Sequence, residues 1–238
     1  MCNLKCTTAL LIYNEEGNIG PLTERILEIY NEYGIEGEVL LVDDGSTDRS
    51  PEICDHLAGK HKSVRVVHHG VNMNRSFAIQ TAFREARGDV VIIMDGDYQY
   101  EPAEIPLFLQ KIDEGYDVVT GYRKSRSDPF MRKLISKVYN WLIIRCIFGL
   151  DIRDQNSGFK AFRREKALSM NFDPRGYIGL HRFILPLAAI RGLSIAEIPV
   201  SHYDRPSGKS YIKTYTVPFI TLRDFFRFLK QYGRRGKK

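Results

Sequence analysis

Asp95-Gly96-Asp97-Tyr98-Gln99 is the stretch whose residue types can do chemistry. Two carboxylates stand at i and i+2, with a glycine between them that lets the backbone turn. Such a pair suits a hard divalent cation, because Mg²⁺ or Mn²⁺ takes one or two carboxylates and fills its other positions with phosphate oxygens and water. The apolar run Val90–Met94 directly before it is rich in β-branched residues and predicts a buried strand. The carboxylates then sit at the C-terminal end of that strand, where ligands bind in an open α/β sheet. Taken alone, Asp-x-Asp is equally at home in a polar turn. Two further strand-like runs end the same way, Thr7–Tyr13 in Asn14-Glu15 and Glu38–Val42 in Asp43-Asp44. Carboxylates gathered at neighbouring strand ends repel one another unless a cation or a donor-rich ligand sits among them. A nucleotide supplies both, with donors on base and ribose and a metal-bound diphosphate.

The elements that must position these groups follow from periodicity. Helical spacing runs from Ile19 to Tyr33 and stops at Gly34. Ser50-Pro51 opens a second helix, with proline at an early position where its missing donor costs little. Val64–Val67 and Asp117–Thr120 read as strands, Arg75–Arg87 as a helix stopped by Gly88, and Glu101-Pro102 as the start of a helix through Lys111. Alternating strand and helix predicts an α/β fold, a mostly parallel sheet covered on both faces. The 238 residues suffice for one large domain, and 43% hydrophobic with 27% charged residues is ordinary globular content.

The net charge of +6 gathers around Arg123–Arg132 and from Arg223 to Lys238. No zinc-finger spacing or RNA-binding aromatic motif accompanies it, so phosphorylated small molecules and anionic lipid rank above nucleic acid as partners. Cys2, Cys6, Cys54 and Cys146 lack metal-type pairing and read as reduced thiols, and no signal-peptide layout is visible. The expected setting is therefore cytoplasmic. No apolar stretch reaches the 18 or so residues of a membrane span, which predicts a soluble or peripheral protein.

Further along the chain stand Gly121-Tyr122-Arg123, Arg132 with Ser136, Asp154 with Ser157-Gly158-Phe159-Lys160, and Arg205 with Gly208 and Ser210. Together with Tyr13-Asn14-Glu15-Glu16, Val42–Asp48, Asp95–Gln99, Pro102 and Glu104-Ile105-Pro106, this set resembles the family 2 glycosyltransferases of GT-A (nucleotide-diphospho-sugar transferase) fold. The likeness is to the dolichol-phosphate mannose synthase-like, polyprenyl-phosphate branch. It covers nearly the whole chain, in family order.

The resemblance implies a GT-A catalytic domain over residues 1–213 and an amphipathic basic helix and tail over 214–238. It implies metal-dependent, inverting transfer of a hexose from a GDP-mannose or UDP-glucose type donor to a polyprenyl (dolichyl) phosphate at a membrane surface. Asp95, Asp97 and Gln99 would hold Mg²⁺ or Mn²⁺, with Asp97 central to catalysis. Tyr13, Asn14, Glu15, Asp43, Asp44 and Asp95 would contact the donor, and Arg205 and Lys209 would clamp its phosphates. Arg123 and Arg132, with Ser136, would receive the acceptor phosphate. The chain departs from the family pattern at Leu11, at Asn74-Arg75-Ser76 in place of a glycine-containing turn, and at Tyr211 in place of lysine.

Several readings stay open at this point. Asp154 fits a base toward a hydroxyl acceptor, a residue that orients Arg132 or binds sugar hydroxyls, and a structural ion pair. His181 reads as packed. Arg132–Phe148 fits both an interfacial and a core helix. Phe219, Leu222, Phe226 and Leu229 form an apolar stripe beside Arg223, Arg227 and Lys230. That pattern fits a helix on an anionic bilayer and equally a helix packed on the domain. Relatives of this branch often carry transmembrane helices, so peripheral attachment or a separate membrane-anchoring subunit is expected here. A glycan hydroxyl acceptor and a non-catalytic nucleotide-sugar or lipid-binding subunit are the alternative functions.

Overall fold

A computed structural model describes residues 5–123, 145–207 and 217–233. Arg132, Ser136 and Lys209, with most of the expected Arg132–Phe148 helix, lie outside the described residues.

The strands are β1 (Cys6–Ile12), β2 (Gly37–Asp43), β3 (Val64–His68), β4 (Val90–Asp95), β5 (Val118–Arg123), β6 (Lys160–Arg163) and β7 (Ile195–Val200). They form one seven-stranded sheet in the order β3-β2-β1-β4-β6-β5-β7. The chain winds outward from β1 to β3 and then returns to β4 on the other flank of β1, which makes the β1/β4 boundary a topological switch point. Register brings the acidic ends level. Parallel pairing sets Ile12 opposite Asp43 and Leu11 opposite Asp95. The parallel α/β fold expected from the sequence is observed, with one addition. Strand β6 runs antiparallel between β4 and β5, pairing Val90 with Arg163 and Val118 with Phe162.

Side chains alternate between the two faces of the sheet. Leu10, Ile12, Leu41, Ile92 and Met94 meet helices α1 (Ile19–Tyr33), α2 (Ser50–Lys60) and α4 (Ile105–Asp113). Ala9, Leu11, Leu40, Val42, Val91 and Ile93 meet α3 (Arg75–Glu85), α5 (Arg164–Ser169), α6 (Ile184–Ile190) and α7 (Val217–Tyr232). Helix α1 buries Ile19, Leu22, Ile26 and Ile29, and it ends where Gly34 adopts φ 61°, a left-handed turn that glycine takes without strain. Pro102–Glu104 forms a 3₁₀ turn ahead of α4, so the helix proper starts later than Glu101-Pro102 alone implies.

Helix α7 packs on the domain mainly through residues outside the apolar stripe. Phe228 is fully buried, with its ring 5.1 Å from Phe183 and 5.7 Å from Phe148. Asp224 is also buried and accepts from the backbone N–H groups of Ile178 and Gly179 at 3.1 and 2.7 Å. Of the stripe, Leu229 is partly buried against the core, whereas Phe219, Leu222 and Phe226 point outward with 77%, 52% and 62% exposure. Among the described residues, no helix is long and apolar enough to cross a membrane.

Replacing Phe228 by alanine is expected to cost about 3–5 kcal/mol of stability through loss of buried ring contacts and the cavity left behind. The exposed neighbour gives the control, with Phe226→Ala staying within about 0.5 kcal/mol. Urea unfolding of both variants checks the pair.

Candidate functional site

Each strand end contributes a differently bonded acidic group. After β1, Asn14 takes φ 55°, a left-handed conformation that asparagine tolerates. Its side-chain oxygen accepts from Thr47 N at 2.7 Å, and its own N–H donates to Ser46 Oγ at 2.9 Å, which ties the β1 and β2 loops together. Glu15 is buried, which raises its pKa, and it is held by Asn18 Nδ2 at 2.7 Å and Arg205 Nη1 at 2.9 Å.

After β2, Asp43 accepts from Ser46 N at 3.0 Å and bonds His68 Nδ1 at 2.8 Å. Tyr13, Asp43, Ser46, Thr47, Asp55 and His68 border an open cavity of about 530 Å³. Its size and mixed polar lining suit a nucleoside. Asp44 does not border it. That carboxylate bonds His69 Nδ1 at 2.8 Å and Met73 N at 2.9 Å, and so shapes the loop after β3. Neither histidine was singled out in the sequence, although adjacent histidines at a strand end were a visible signal.

After β4, Asp95 and Asp97 come together as the spacing requires. Arg75 bonds both oxygens of Asp95, Nη1 to Oδ2 at 3.0 Å and Nη2 to Oδ1 at 2.7 Å. Gly158 backs the same carboxylate so closely that a Cβ there would lie 2.0 Å from Oδ2. Arg205 bridges the strand ends, with Nη2 3.0 Å from Asp97 Oδ2 while Nη1 holds Glu15. Burial first, and the charge of Asp95 second, push the Asp97 pKa up to about 6. Gln99 donates its backbone N–H to Asp97 Oδ1 at 3.2 Å and its side-chain nitrogen to Tyr203 O at 2.9 Å. Its amide oxygen is the atom able to ligate.

Among the described residues, no three His, Cys, Asp or Glu side chains gather as a metal cage. The residues nonetheless fit a hard cation. Asp95 and Asp97 are a hard-oxygen pair, and burial followed by the charge of Asp95 leaves Asp97 reluctant to ionise, a cost that a divalent cation would relieve.

A second cluster lies behind Asp95. Arg123 grips Asp154 in bidentate fashion, Nε to Oδ2 at 2.7 Å and Nη2 to Oδ1 at 3.1 Å, with both side chains mostly buried. The structure therefore pairs Asp154 with Arg123. Lys160, at the start of β6, is almost fully buried and donates to Ser157 O. Burial, and next the charge of Arg75, pull its pKa down to about 7. His181 is packed, as its sequence context implies, with Nδ1 3.1 Å from Ser76 Oγ. Burial and then the charge of Arg182 hold it well below the usual histidine range. Arg75 and Lys160 are site residues that the sequence marks only weakly. Arg75 reads there as a helix start and as a departure from the family's turn, and Lys160 as part of a motif. Of the expected site residues, Arg132, Ser136 and Lys209 lie outside the described residues.

Comparison with known proteins gives consistent findings. The family described as Glycosyl transferase family 2 matches residues 8–185. The undecaprenyl-phosphate 4-deoxy-4-formamido-L-arabinose transferase of Pectobacterium carotovorum subsp. carotovorum is 36% identical over 203 residues, covering 84% of this chain and 60% of that protein. Its namesake in Shewanella sediminis is 34% identical over 206 residues, covering 84% and 59%. The chain thus spans about three fifths of the length of these curated relatives. Among solved structures, the mannosyltransferase PcManGT from Pyrobaculum calidifontis, in complex with GDP-Man and Mn²⁺, superposes with a TM-score of 0.67 at 19% identity, covering 100% of this chain and 66% of that one. Glucosyl-3-phosphoglycerate synthase from Mycobacterium tuberculosis gives a TM-score of 0.65 at 20% identity, covering 97% and 81%. At these identities the structural likeness establishes the shared fold.

The raised Asp97 pKa has a definite sign. The folded value is about 6 against an ordinary 3.8, so the stability that the protonated group contributes is full below the ordinary value and is lost as pH rises through about 6. Asp97→Asn cannot ionise. It is expected to be more stable than wild type at pH 7.5 and no more stable at pH 3.5, as read from urea midpoints at the two pH values. Equal midpoints at pH 7.5 would mean that Arg205 fully compensates the buried charge.

Proposed function

The chain belongs to glycosyl transferase family 2, and from that membership we propose that it transfers a sugar from a nucleotide-sugar donor to a polyprenyl phosphate. The observation that carries the reading is the convergence of Asp95 and Asp97 with Arg75, Arg123 and Arg205 at one edge of the sheet. Carboxylates there suit the cation of a diphosphate, and arginines suit phosphate oxygens by their planar, bidentate geometry. Relatives more than 30% identical are named as undecaprenyl-phosphate sugar transferases, which supports a polyprenyl phosphate as acceptor. Solved neighbours carry GDP-Man with Mn²⁺ and UDP-glucose with Mn²⁺, which supports a nucleoside diphosphate donor and a divalent cation.

The cation, held by Asp95 and Asp97 with the Gln99 amide oxygen, would neutralise charge on the departing diphosphate. Tyr13 and Asp43 bound the nucleoside side, Asn14 braces the loop beside them, and Glu15 positions Arg205 toward the phosphates. The acceptor phosphate has a second pKa near about 6, so it arrives largely anionic and needs no strong base. Its requirement is cationic positioning, since one anion must approach another. Arg123 meets it, preset by Asp154, and Arg132 with Ser136 is assigned the same role. Both Asp154 oxygens already accept from Arg123, which favours positioning over proton abstraction. A single in-line displacement inverts the anomeric centre. The outward stripe of Phe219, Leu222 and Phe226 beside Arg223, Arg227 and Lys230 suits contact with an anionic, cytoplasm-facing bilayer surface.

Radiolabelled transfer from a panel of GDP- and UDP-sugars to a polyprenyl phosphate in detergent, with and without EDTA, tests the reading. Chelator-sensitive label is expected in the lipid phase for one donor. Donor hydrolysis with no lipid product from any sugar would sink the assignment and turn attention to a glycan hydroxyl. In the same assay Asp154→Asn, which keeps the shape but weakens the grip on Arg123, is expected to lower kcat/KM by about 10- to 100-fold, the range for loss of a charge-assisted hydrogen bond. A loss beyond about 10⁴-fold would instead make Asp154 an obligatory base.

A further inference from the structure

Asp95 is gripped from both sides. The planar fork of Arg75 takes both of its oxygens, at 2.7 and 3.0 Å, and the backbone of Gly158 closes the opposite side. Asp97 is bonded in parallel by Arg205. The pair of carboxylates is thus matched by two guanidinium charges, and a divalent cation placed on Asp95 must compete with Arg75 for the same lone pairs. Its positive charge also repels the guanidinium.

Arg75 is held firmly at one end only. Among the described residues its Nε–H is buried without a partner, beside a cavity of about 20 Å³ where Gln155 Oε1 is likewise unpartnered. A buried donor without an acceptor carries a desolvation penalty, so this position of the guanidinium is not its best-bonded one. Its side chain is 32% exposed, which leaves a way out toward the strand ends. The preceding backbone fixes where it can swing from. Asn74 holds φ 82° and ψ 160°, a region that L-residues rarely adopt, and its Oδ1 accepts from Ser76 N at 2.9 Å. Helix α3 therefore starts at Arg75, facing the end of β4.

We infer that Arg75 is a positioning residue that competes with the divalent cation for Asp95 and is drawn off by the donor's diphosphate. Cation and donor then bind cooperatively, because the diphosphate removes the competitor and restores the charge balance that the cation upsets. This rests on the nucleotide-sugar reading above. It also gives the departure at Asn74-Arg75-Ser76 a physical role in coupling two ligands.

The test is Mn²⁺ binding to the whole chain without nucleotide, followed by electron paramagnetic resonance, in wild type, Arg75→Gln and Arg75→Lys. UDP and GDP affinity is measured by calorimetry with and without Mn²⁺. Circular dichroism melts verify folding of the variants. Arg75→Gln is expected to bind Mn²⁺ alone about tenfold more tightly than wild type, equivalent to about 1.4 kcal/mol. Arg75→Lys, a point charge without the fork, is expected to fall between. Mn²⁺ is expected to strengthen nucleotide binding to wild type at least about tenfold and to strengthen it less in Arg75→Gln, the same coupling seen from the other ligand. A folded Arg75→Gln whose Mn²⁺ affinity is unchanged or weaker overturns the inference while leaving the sugar-transfer reading standing. Failure of wild type to bind either nucleotide, with or without Mn²⁺, overturns both.

Discussion

Charge compensation at the C-terminal edge of the sheet is the constraint from which the rest of the site follows. Parallel register sets the ends of β1, β2 and β4 level, so the fold itself crowds Glu15, Asp43, Asp44, Asp95 and Asp97 together. Each is matched by a donor from elsewhere in the chain: Arg205 on Glu15 and Asp97, Arg75 on Asp95, His68 on Asp43 and His69 on Asp44. These partners come from the loop after β7, the start of α3 and the end of β3. The site is consequently a joint product of most of the chain. The Asp97 pKa shows the compensation to be incomplete, since burial and Asp95 still outweigh Arg205. Such a residual imbalance is the electrostatic condition that the proposed cation would relieve.

Much of this was legible in the sequence because it depends on local pattern. Strand ends are marked by apolar runs that stop at acids, and their convergence follows once alternating strand and helix imply a parallel sheet. The motifs through Arg205 stand in the order found in family 2 glycosyltransferases, and that resemblance supplied the roles expected of them. Less legible were features set by long-range packing. Strand β6 is four residues long and antiparallel, too short for periodicity to announce it. Arg75 sits at a helix start where arginine is unremarkable, and only the tertiary structure brings it onto Asp95. Asp44 lies beside Asp43 in sequence yet serves the loop after β3, because adjacent residues beyond a strand end diverge.

The C-terminal helix illustrates how one amphipathic sequence can hold two apolar faces. Phe225 and Phe228 complete the core over the sheet, while Phe219, Leu222 and Phe226 remain outward, one turn apart along the opposite side. The pattern visible in the sequence was the outward one, and the inward one was carried by aromatics whose spacing merges with it. Docking is secured by Asp224, whose burial is made tolerable by two backbone donors and Arg223. The outward residues are therefore presented from a fixed platform, on the same body that carries the acidic edge.

The antiparallel β6 joins two groups of strands. Without Lys160–Arg163 the ladder would part into β3-β2-β1-β4 and β5-β7, since β6 supplies the hydrogen bonds on both flanks. The first group draws only on residues up to Asp95. The second joins Val118–Arg123 to Ile195–Val200, segments far apart in the chain whose pairing carries a larger loop-closure cost. Four residues thus hold the two groups together, and the first of them is Lys160, whose amine is buried beside the site. The same four residues set both the continuity of the sheet and a buried amine behind Asp95, so a change that displaces β6 reaches the acidic edge as well.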